Sequence, residues 1–233
     1  MRVDEPAPPA PLDELAAYGE LLTLAMGIAR EVGDRLREVR RQGSLQVSTK
    51  SSSTDMVTDM DVWAEQHIVG RLLDARPDDG VLGEEGSDVS GTSGVVWCID
   101  PIDGTTDYLY GHPGYSVSIA ALVDGAPVVG VVHDPSLDQQ FTAVRGFGAW
   151  RDHEPVRASA LDDLSLALVG TGFSYGAERR ARQGALLSTV LPRIRDIRRM
   201  GGAALDLCYV ACGRLDAFYE HGLNPWDLAA GGL

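Results

Sequence analysis

The sequence predicts a mixed α/β protein with an antiparallel sheet in its first part and an alternation of strands and helices in its second part. Between residues 95 and 144, short apolar runs follow one another with glycine or proline between them, which is typical of strands joined by hairpin turns. After about residue 155, strand-like and helix-like segments alternate, which indicates a sheet covered by helices. We expect a loose leader at residues 1–14, a first subdomain at 15–155 and a second at 156–233, the two subdomains forming one compact unit.

The elements are predicted from apolar spacing and from turn residues. Apolar residues from Leu15 to Val39 recur at helical spacing, and Gly43 follows them as a stop signal. Residues 46–61 are rich in Ser, Thr and Asp and predict a loop or a short edge strand. The remaining predicted elements of the first part are a helix at 62–73 and strands at 95–99, 116–123, 128–133 and 140–144. Those of the second part are strands at 166–170, 196–200 and 215–219, with helices at 178–190, at 203–211 and from Trp226 onward.

The composition indicates a globular protein of the cell interior. Hydrophobic residues make up 44% of the chain and charged residues 23%, and no apolar run approaches the ~20 residues of a membrane span. The Pro-rich, acidic start lacks the basic head and the apolar stretch of a signal peptide. Three cysteines, an odd number inside apolar segments, fit reduced thiols, and we therefore expect a cytoplasmic location. The formal net charge of −14 disfavours nucleic acid and anionic membranes as partners, and a phosphate substrate would need cations at its site.

The most informative segment is an apolar run that ends in acids, WCIDPIDGTTD at residues 97–107. Asp100 ends a predicted strand at Pro101, and the turn that follows can point Asp100 and Asp103 at one spot. Two carboxylates held close together repel each other or take up a proton unless a cation lies between them. Hard oxygen ligands at a strand end suit Mg²⁺, which keeps several waters and completes its shell with substrate phosphate.

Other phosphate and metal motifs fail on spacing. An EF-hand needs acidic ligands at alternate loop positions and glycine at the sixth, which residues 100–105 do not provide. A phosphatase of the haloacid dehalogenase type would need its aspartate nucleophile at position 101, which is Pro101. The sequence contains no G-x-x-x-x-G-K-[ST] loop for nucleotide phosphates. For this segment alone, a capped turn with solvated acids remains an open interpretation.

Three further acidic segments accompany it. Glu84 and Glu85 follow an apolar pair, the run TDMVTDMD at 54–61 leads into a helix, and Asp227 lies at the start of another helix. Each has a simpler interpretation, as a surface pair of glutamates, as N-terminal caps, or as an acid that complements a helix dipole. Their occurrence together in one chain favours a shared metal site.

In their order and wording these segments resemble the inositol monophosphatase family of lithium-sensitive, magnesium-dependent phosphatases. The resemblance runs from about Leu15 to the last residue and rests on GEE at 83–85, on DPIDGTT at 100–106, and on WD at 226–227 followed by AAGG at 229–232. It implies a layered αβαβα sandwich with an antiparallel first sheet and a mixed second sheet, and a homodimer. Relatives continue for a further strand and helix, so the last strand of the second sheet is expected to be missing.

The resemblance also implies the metal ligands and the reaction. Two to three Mg²⁺ ions would be held by Glu84, Asp100, the carbonyl of Ile102, Asp103 and Asp227. The catalytic residues would be Thr105, Asp61 and Asp103, with Thr105 and Asp61 orienting a metal-activated water that attacks phosphorus. The residues around the substrate would be Asp103, Gly104, Thr105, Gly201, Gly202, Ala203, Glu220 and Asp227. Lys50, the single lysine of the chain, would support the site electrostatically.

We therefore expect hydrolysis of inositol monophosphate, a small phosphorylated polyol, to inositol and phosphate. One alternative keeps the site and changes the substrate to histidinol phosphate, fructose bisphosphate or a 3′-phosphonucleotide. A second alternative is a non-enzymatic regulatory protein that keeps the fold for binding a partner. Two departures from the family pattern bear on this choice, because Gly202 stands where relatives carry Ser or Thr and Asp107 stands where Asn is usual.

Overall fold

The computed structural model describes residues 12–43, 47–49 and 56–233, which form six α-helices and thirteen strands. The helices are α1 (Leu12–Gln42), α2 (Asp59–Ala75), α3 (Thr105–Tyr110), α4 (Ala177–Val190), α5 (Ala203–Ala211) and α6 (Pro225–Ala229). The first ten strands are β1 (Val47–Thr49), β2 (Met56–Thr58), β3 (Gly80–Gly83), β4 (Asp88–Val89), β5 (Val95–Asp103), β6 (Ser116–Val123), β7 (Ala126–Asp134), β8 (Gln139–Val144), β9 (Gly148–Arg151) and β10 (Glu154–Pro155). The last three are β11 (Leu168–Thr171), β12 (Asp196–Arg198) and β13 (Ala217–Tyr219).

The large sheet contains eight strands in the order β10-β9-β8-β7-β6-β5-β3-β4. Neighbouring strands run antiparallel except β3 and β5, which are parallel. Side chains along β5 alternate between the two faces, so Trp97 and Ile99 pack with α1 and α2 while Cys98 packs with α5. Because helices cover both faces, the central strands read as continuous apolar runs rather than as an alternation of apolar and polar residues.

The small sheet contains three parallel strands in the order β12-β11-β13. Leu168 of β11 packs toward α5 and the large sheet, whereas Val169 packs on the other face with Val190, the last residue of α4. The layers therefore follow one another as α1 and α2, the large sheet, α5 and α6, the small sheet, and α4. This confirms the predicted αβαβα sandwich. The sheet types were predicted wrongly, because the parallel pair of β3 and β5 makes the large sheet mixed and the three described strands of the small sheet are all parallel.

The predicted elements agree best with the structure where the apolar pattern is strongest. The strand at 116–123 and the helix at 203–211 have the predicted bounds. The prediction that the ladder stops at Pro101 was wrong, because β5 continues to Asp103 after a register shift in its pairing with β6. In the segment predicted as loop or edge strand, β1 pairs with β2 and α2 already begins at Asp59. Helix α1 begins at Leu12, so the last three residues of the predicted leader at 1–14 are helical. Outside the described residues lie the rest of that leader, residue 46 and residues 50–55, which include Lys50.

Along the chain, the last strand of the eight-stranded sheet ends at Pro155, and the first strand of the three-stranded sheet, β11, begins at Leu168. The division into subdomains at 15–155 and 156–233 stays a prediction. Among the helices of the described ranges, none combines the length and the apolar character that a membrane crossing demands.

Candidate metal centre

The end of β5 forms one wall of the site. The pairing of β5 with β6 shifts between Asp100 and Asp103, and the Oδ1 atom of Asp100 accepts a hydrogen bond of 3.1 Å from the backbone N–H of Ile102. Gly104 follows at φ 88°, and a Cβ atom there would lie 2.7 Å from the carbonyl oxygen of Gly114. Glycine is therefore required on two grounds, and the turn it permits leaves the carboxylates of Asp100 and Asp103 buried side by side.

Helix α6 brings a third carboxylate to the same place. Its Asp227 accepts a hydrogen bond of 2.6 Å from the backbone N–H of Asn224, so it completes a capping box at the start of the helix. The same residue lies beside the end of β5, and Asp100, Asp103 and Asp227 each offer a carboxylate oxygen within 4.8 Å of the others. The acid that complements the helix dipole and the shared site, the two interpretations of Asp227, thus both describe it.

Glu84 enters from the turn after β3. That strand is the parallel neighbour of β5, and the backbone N–H of Glu84 donates to the carbonyl of Ile99 at 3.3 Å. The cavity lined by Asp100, Asp103 and Asp227 is also lined by Glu84 and Ile102, so the five candidate ligands share one opening.

This arrangement opposes ionisation of its own acids. Burial raises the pKa of the Asp100 carboxyl well above its usual range, and the neighbouring charges of Glu84, Asp103 and Asp227 raise it further. Burial likewise raises the pKa of Asp103, although the backbone N–H groups of Ala204 and Ala203 partly offset the effect. A divalent cation would remove this penalty, and an all-oxygen set of carboxylates and a carbonyl suits a hard ion such as Mg²⁺. The residues present therefore fit a magnesium site.

A buried carboxylate–hydroxyl pair, formed by Asp61 and Thr105, lies next to this cluster. The Oδ1 atom of Asp61 accepts a hydrogen bond of 3.0 Å from the Thr105 hydroxyl, and its Oδ2 atom accepts from the backbone N–H of Thr58 at 2.7 Å. Asp61 thus completes the capping box of α2 and also holds Thr105 at the start of α3. The Thr105 hydroxyl lies 3.1 Å from the Ile102 carbonyl oxygen as well, so it is anchored beside a candidate ligand atom.

The opposite wall of the cavity begins at α5. The cavity has a volume of about 840 Å³, and Gly201, Gly202 and Ala203 line it at the start of that helix. The two carboxylate oxygens of Asp103 accept from the backbone N–H groups of Ala203 at 3.2 Å and Ala204 at 2.7 Å. A Cβ atom on Gly202 would lie 2.3 Å from an Asp103 oxygen, so glycine at this position makes room for that carboxylate against the helix.

Glu220 and Gly104 also line the cavity, and with them all the predicted site residues except Asp61 reach it. Burial raises the pKa of Glu220, while the positive charge of Arg199 lowers it. Sequence reasoning missed three arginines on the same walls, Arg179 and Arg182 of α4 and Arg199 before α5. Arg179 and Arg182 are three residues apart in a predicted helix and therefore share a face, which was the available signal.

A model of the inositol monophosphatase family matches residues 18–233 of the chain. The chain belongs to the inositol monophosphatase family. It is 49% identical over 196 residues to an inositol-1-monophosphatase of Mycobacterium leprae, an alignment that covers 80% of this chain and 67% of the relative. It is 44% identical over 207 residues to the Nus factor SuhB of Xylella fastidiosa, covering 88% of this chain and 74% of the relative.

A solved structure of the extragenic suppressor protein suhB from Bartonella henselae has the same fold, with a TM-score of 0.86 and 38% sequence identity. That similarity covers 91% of this chain and 82% of the Bartonella chain. Family membership confirms the resemblance that the motifs predicted. The magnesium dependence that is general in this family agrees with the acidic cluster of Asp100, Asp103 and Asp227.

Proposed function

We propose that this chain is a magnesium-dependent phosphomonoesterase that hydrolyses inositol monophosphate to inositol and phosphate. The observation that carries the proposal is the meeting of Asp100, Asp103 and Asp227 within 4.8 Å, next to Glu84, in the cavity of a chain that belongs to the inositol monophosphatase family. The Mycobacterium leprae relative, named an inositol-1-monophosphatase, supports this substrate over the alternatives with a different alcohol.

In this proposal two to three Mg²⁺ ions would be held by Glu84, Asp100, the carbonyl of Ile102, Asp103 and Asp227, all of which line the cavity. Bound magnesium would neutralise phosphate charge and make a water molecule more acidic, which supplies a nucleophile near neutral pH. Without a cation, the carboxylates of Asp100, Asp103 and Asp227 would repel a phosphate, because both groups carry negative charge. Asp100 and Asp103 are buried, so solvent screens charges at their carboxylates only weakly.

Thr105 and Asp61 orient the attacking water. The Thr105 hydroxyl gives its only proton to Asp61 or to the Ile102 carbonyl, so its lone pairs are left to accept a hydrogen bond from water in the cavity. Asp61 is itself fixed by Thr58, which keeps the pair in one geometry. A water held by Thr105 would lie beside the acidic cluster at which the substrate phosphate would bind, within reach of the phosphorus atom. Asp103 is the third proposed catalytic residue. It offers an oxygen to the acidic cluster and accepts a hydrogen bond from the backbone N–H of Ala204 at the start of α5.

The polyol is recognised at the wall formed by Gly201, Gly202, Ala203 and Glu220. Backbone N–H groups at the start of α5 are donors, and the Glu220 carboxylate is an acceptor for a ring hydroxyl. Gly104, Thr105 and Asp227 close the phosphate end of the pocket. We further propose that the protein works as a homodimer in the cytoplasm.

The test is a panel of phosphorylated substrates with and without Mg²⁺. We expect phosphate release from inositol 1-phosphate that requires a divalent cation and exceeds release from histidinol phosphate, fructose bisphosphate and a 3′-phosphonucleotide. Asp100→Asn should abolish this release, whereas Asp124→Asn, at an exposed turn, should not change it. Turnover that persists in excess EDTA would contradict the proposal.

A regulatory function is the second candidate, because some relatives, including the Xylella fastidiosa protein, are named Nus factor SuhB. In that case the fold would serve to bind a partner, and phosphate release would be dispensable. The two functions are separated by a pull-down with wild-type protein and Asp100→Asn. A stoichiometric partner retained by both, together with no hydrolysis of any substrate in the panel, would favour regulation.

A further inference from the structure

The turn that carries Glu84 is held by a carboxylate on α2 that belongs to none of the acidic segments considered above. We propose that Glu65 is a positioning residue that fixes this turn and thereby sets the affinity of the site for divalent cations. The consequence for cation binding rests on the proposed function, whereas the contact of Glu65 with the turn does not.

Glu65 binds the turn with both of its carboxylate oxygens. Its Oε2 atom accepts a hydrogen bond of 2.7 Å from the backbone N–H of Glu85, and its Oε1 atom accepts one of 2.9 Å from the backbone N–H of Ser87. The residue is only 3% exposed. Hydrogen bonds from neutral donors to an ionised, buried acceptor are stronger than those between neutral groups, so these two bonds define the path of the chain after Glu84.

Other contacts hold the turn from its opposite side. The backbone N–H of Glu84 donates to the Ile99 carbonyl of β5 at 3.3 Å, and the backbone N–H of Gly83 donates to the Ser87 carbonyl at 2.7 Å. The peptide that carries Glu84 is therefore enclosed between β5 and the Glu65 carboxylate. Its side chain starts from a fixed point and reaches into the cavity shared with Asp100.

Gly83 makes room for the Glu65 carboxylate. A Cβ atom at position 83 would lie 2.5 Å from Oε2 and 2.9 Å from Oε1 of Glu65, which is closer than real Cβ contacts allow. Alanine at position 83 would push the carboxylate away from the amides of Glu85 and Ser87. Gly83→Ala would thus disturb the contact between Glu65 and the turn by a change in the turn, and it would leave the charge of Glu65 in place.

Helix α2 supports both sides of the catalytic centre. Asp61 and Glu65 lie four residues apart, which places them on one face of the helix, and both are buried. Asp61 fixes Thr105, the residue proposed to orient water, and Glu65 fixes the turn of Glu84, a proposed cation ligand. Groups that orient metal ligands in this way change metal affinity by about 10–100-fold when they are removed.

The experiment compares wild-type protein with Glu65→Ala, Glu65→Gln and Gly83→Ala, and uses Asp74→Asn, at the exposed end of α2, as the matched control. Binding of Mn²⁺, followed by electron paramagnetic resonance without substrate, reports cation affinity independently of turnover. We expect about 10-fold or weaker Mn²⁺ binding in Glu65→Ala and Gly83→Ala, a smaller loss in Glu65→Gln, and no change in the control. The Mg²⁺ concentration for half-maximal activity should rise in parallel, while kcat at saturating Mg²⁺ stays within a few-fold of wild type.

Hydrogen exchange gives a second readout. The amides of Glu85 and Ser87 should both lose protection in Glu65→Ala, whereas Glu65→Gln, which keeps one carbonyl oxygen, should protect one of them. Circular dichroism identifies any variant that does not fold, and the isosteric Glu65→Gln remains informative if the alanine variants fail. Folded variants with unchanged Mn²⁺ affinity, or with unchanged exchange of these two amides, would overturn the proposal. If the wild-type protein neither bound Mn²⁺ nor hydrolysed a substrate, the proposed function would fail, and the contact of Glu65 with the turn would still be decided by hydrogen exchange.

Discussion

Replacing Asp100 by asparagine should make the cation-free protein more stable and at the same time remove its response to magnesium. Asp100 is 1% exposed and shares its surroundings with Asp103, Asp227 and Glu84, so ionising it in the absence of a cation is unfavourable. Asparagine keeps an oxygen that can accept the 3.1 Å hydrogen bond from Ile102 and carries no charge. The substitution therefore removes repulsion without leaving a cavity.

The magnitude follows from the spacing of the carboxylates. Two unit charges 4.8 Å apart repel each other by about 3.5 kcal/mol at an effective dielectric constant of about 20. The raised pKa of Asp100 means that the group takes up a proton before the full repulsion develops, which limits the penalty. We expect Asp100→Asn to raise the free energy of unfolding by about 2–4 kcal/mol in EDTA at pH 8. At a Mg²⁺ concentration of about 100 times Kd, wild-type protein should gain about 2.7 kcal/mol and the variant much less.

Chemical denaturation of both proteins, in EDTA and in Mg²⁺, measures the four free energies. Asp124→Asn is the control, because Asp124 is exposed at a turn with φ 51°, a conformation that asparagine tolerates. The control should match wild type under both conditions. The reasoning would be refuted if wild-type protein were the more stable of the two in EDTA, or if Mg²⁺ stabilised Asp100→Asn as much as wild type.

Three further outcomes are expected. Burial lowers the pKa of His133 to about 4 from 6.5, so its contribution to stability is present above pH 6.5 and is lost as the pH falls toward 4. Denaturation curves should show a loss of about 2 kcal/mol in the free energy of unfolding between pH 7.5 and pH 5. This loss should disappear in His133→Phe and persist in the exposed control His153→Asn. Burial raises the pKa of Asp206 to about 7 from 3.8, so its contribution to stability is present below pH 3.8 and is lost as the pH rises through 7. Denaturation curves should show that the free energy of unfolding of wild type falls between pH 4 and pH 8 by up to about 4 kcal/mol more than that of Asp206→Asn. Thr105→Val should lower kcat by about 100-fold or more with little change in Mn²⁺ binding, Thr105→Ser should retain most activity, and equal rates for all three proteins would argue against the assignment of Thr105.

The sequence predicted best the elements that are buried on both sides. β6 and α5 have the predicted bounds because their apolar runs are long and have clear turn residues at their ends. β3 was missed as a strand because only four residues form it, and α3 because six residues with a polar start show no helical period. The buried side chain of Tyr108 fixes α3 by donating to the carbonyl of Leu36 at 3.2 Å, and no local pattern encodes that contact.

The candidate site was predictable where acids lie in recognisable motifs and not where they act across the chain. Asp100 and Asp103 are close in sequence, so one turn can bring them together. Glu65 lies in a stretch that reads as an ordinary polar face of a helix, and its partners Glu85 and Ser87 are 20 and 22 residues away. The burial of Asp206 was likewise not predictable from the sequence, because it follows from packing. Its Oδ1 atom is buried and has no hydrogen bond within the described ranges.

The capping boxes of α2 and α6 restrict how this centre can change. At the third position of a capping box the side chain has only to accept a hydrogen bond from the backbone N–H of the N-cap residue, and the neutral glutamine serves there as glutamate does. Asp61 and Asp227 each accept a hydrogen bond from the local backbone with one oxygen. The other oxygen of Asp61 holds Thr105, and Asp227 offers a carboxylate oxygen to the cluster with Asp100 and Asp103. A neutral side chain that the helix would tolerate at either position would therefore disable the proposed chemistry. Unwinding the first turn of α2 or of α6 would likewise move a carboxylate away from the catalytic centre. Local folding and reactivity are coupled at these two residues, so neither can be tuned alone.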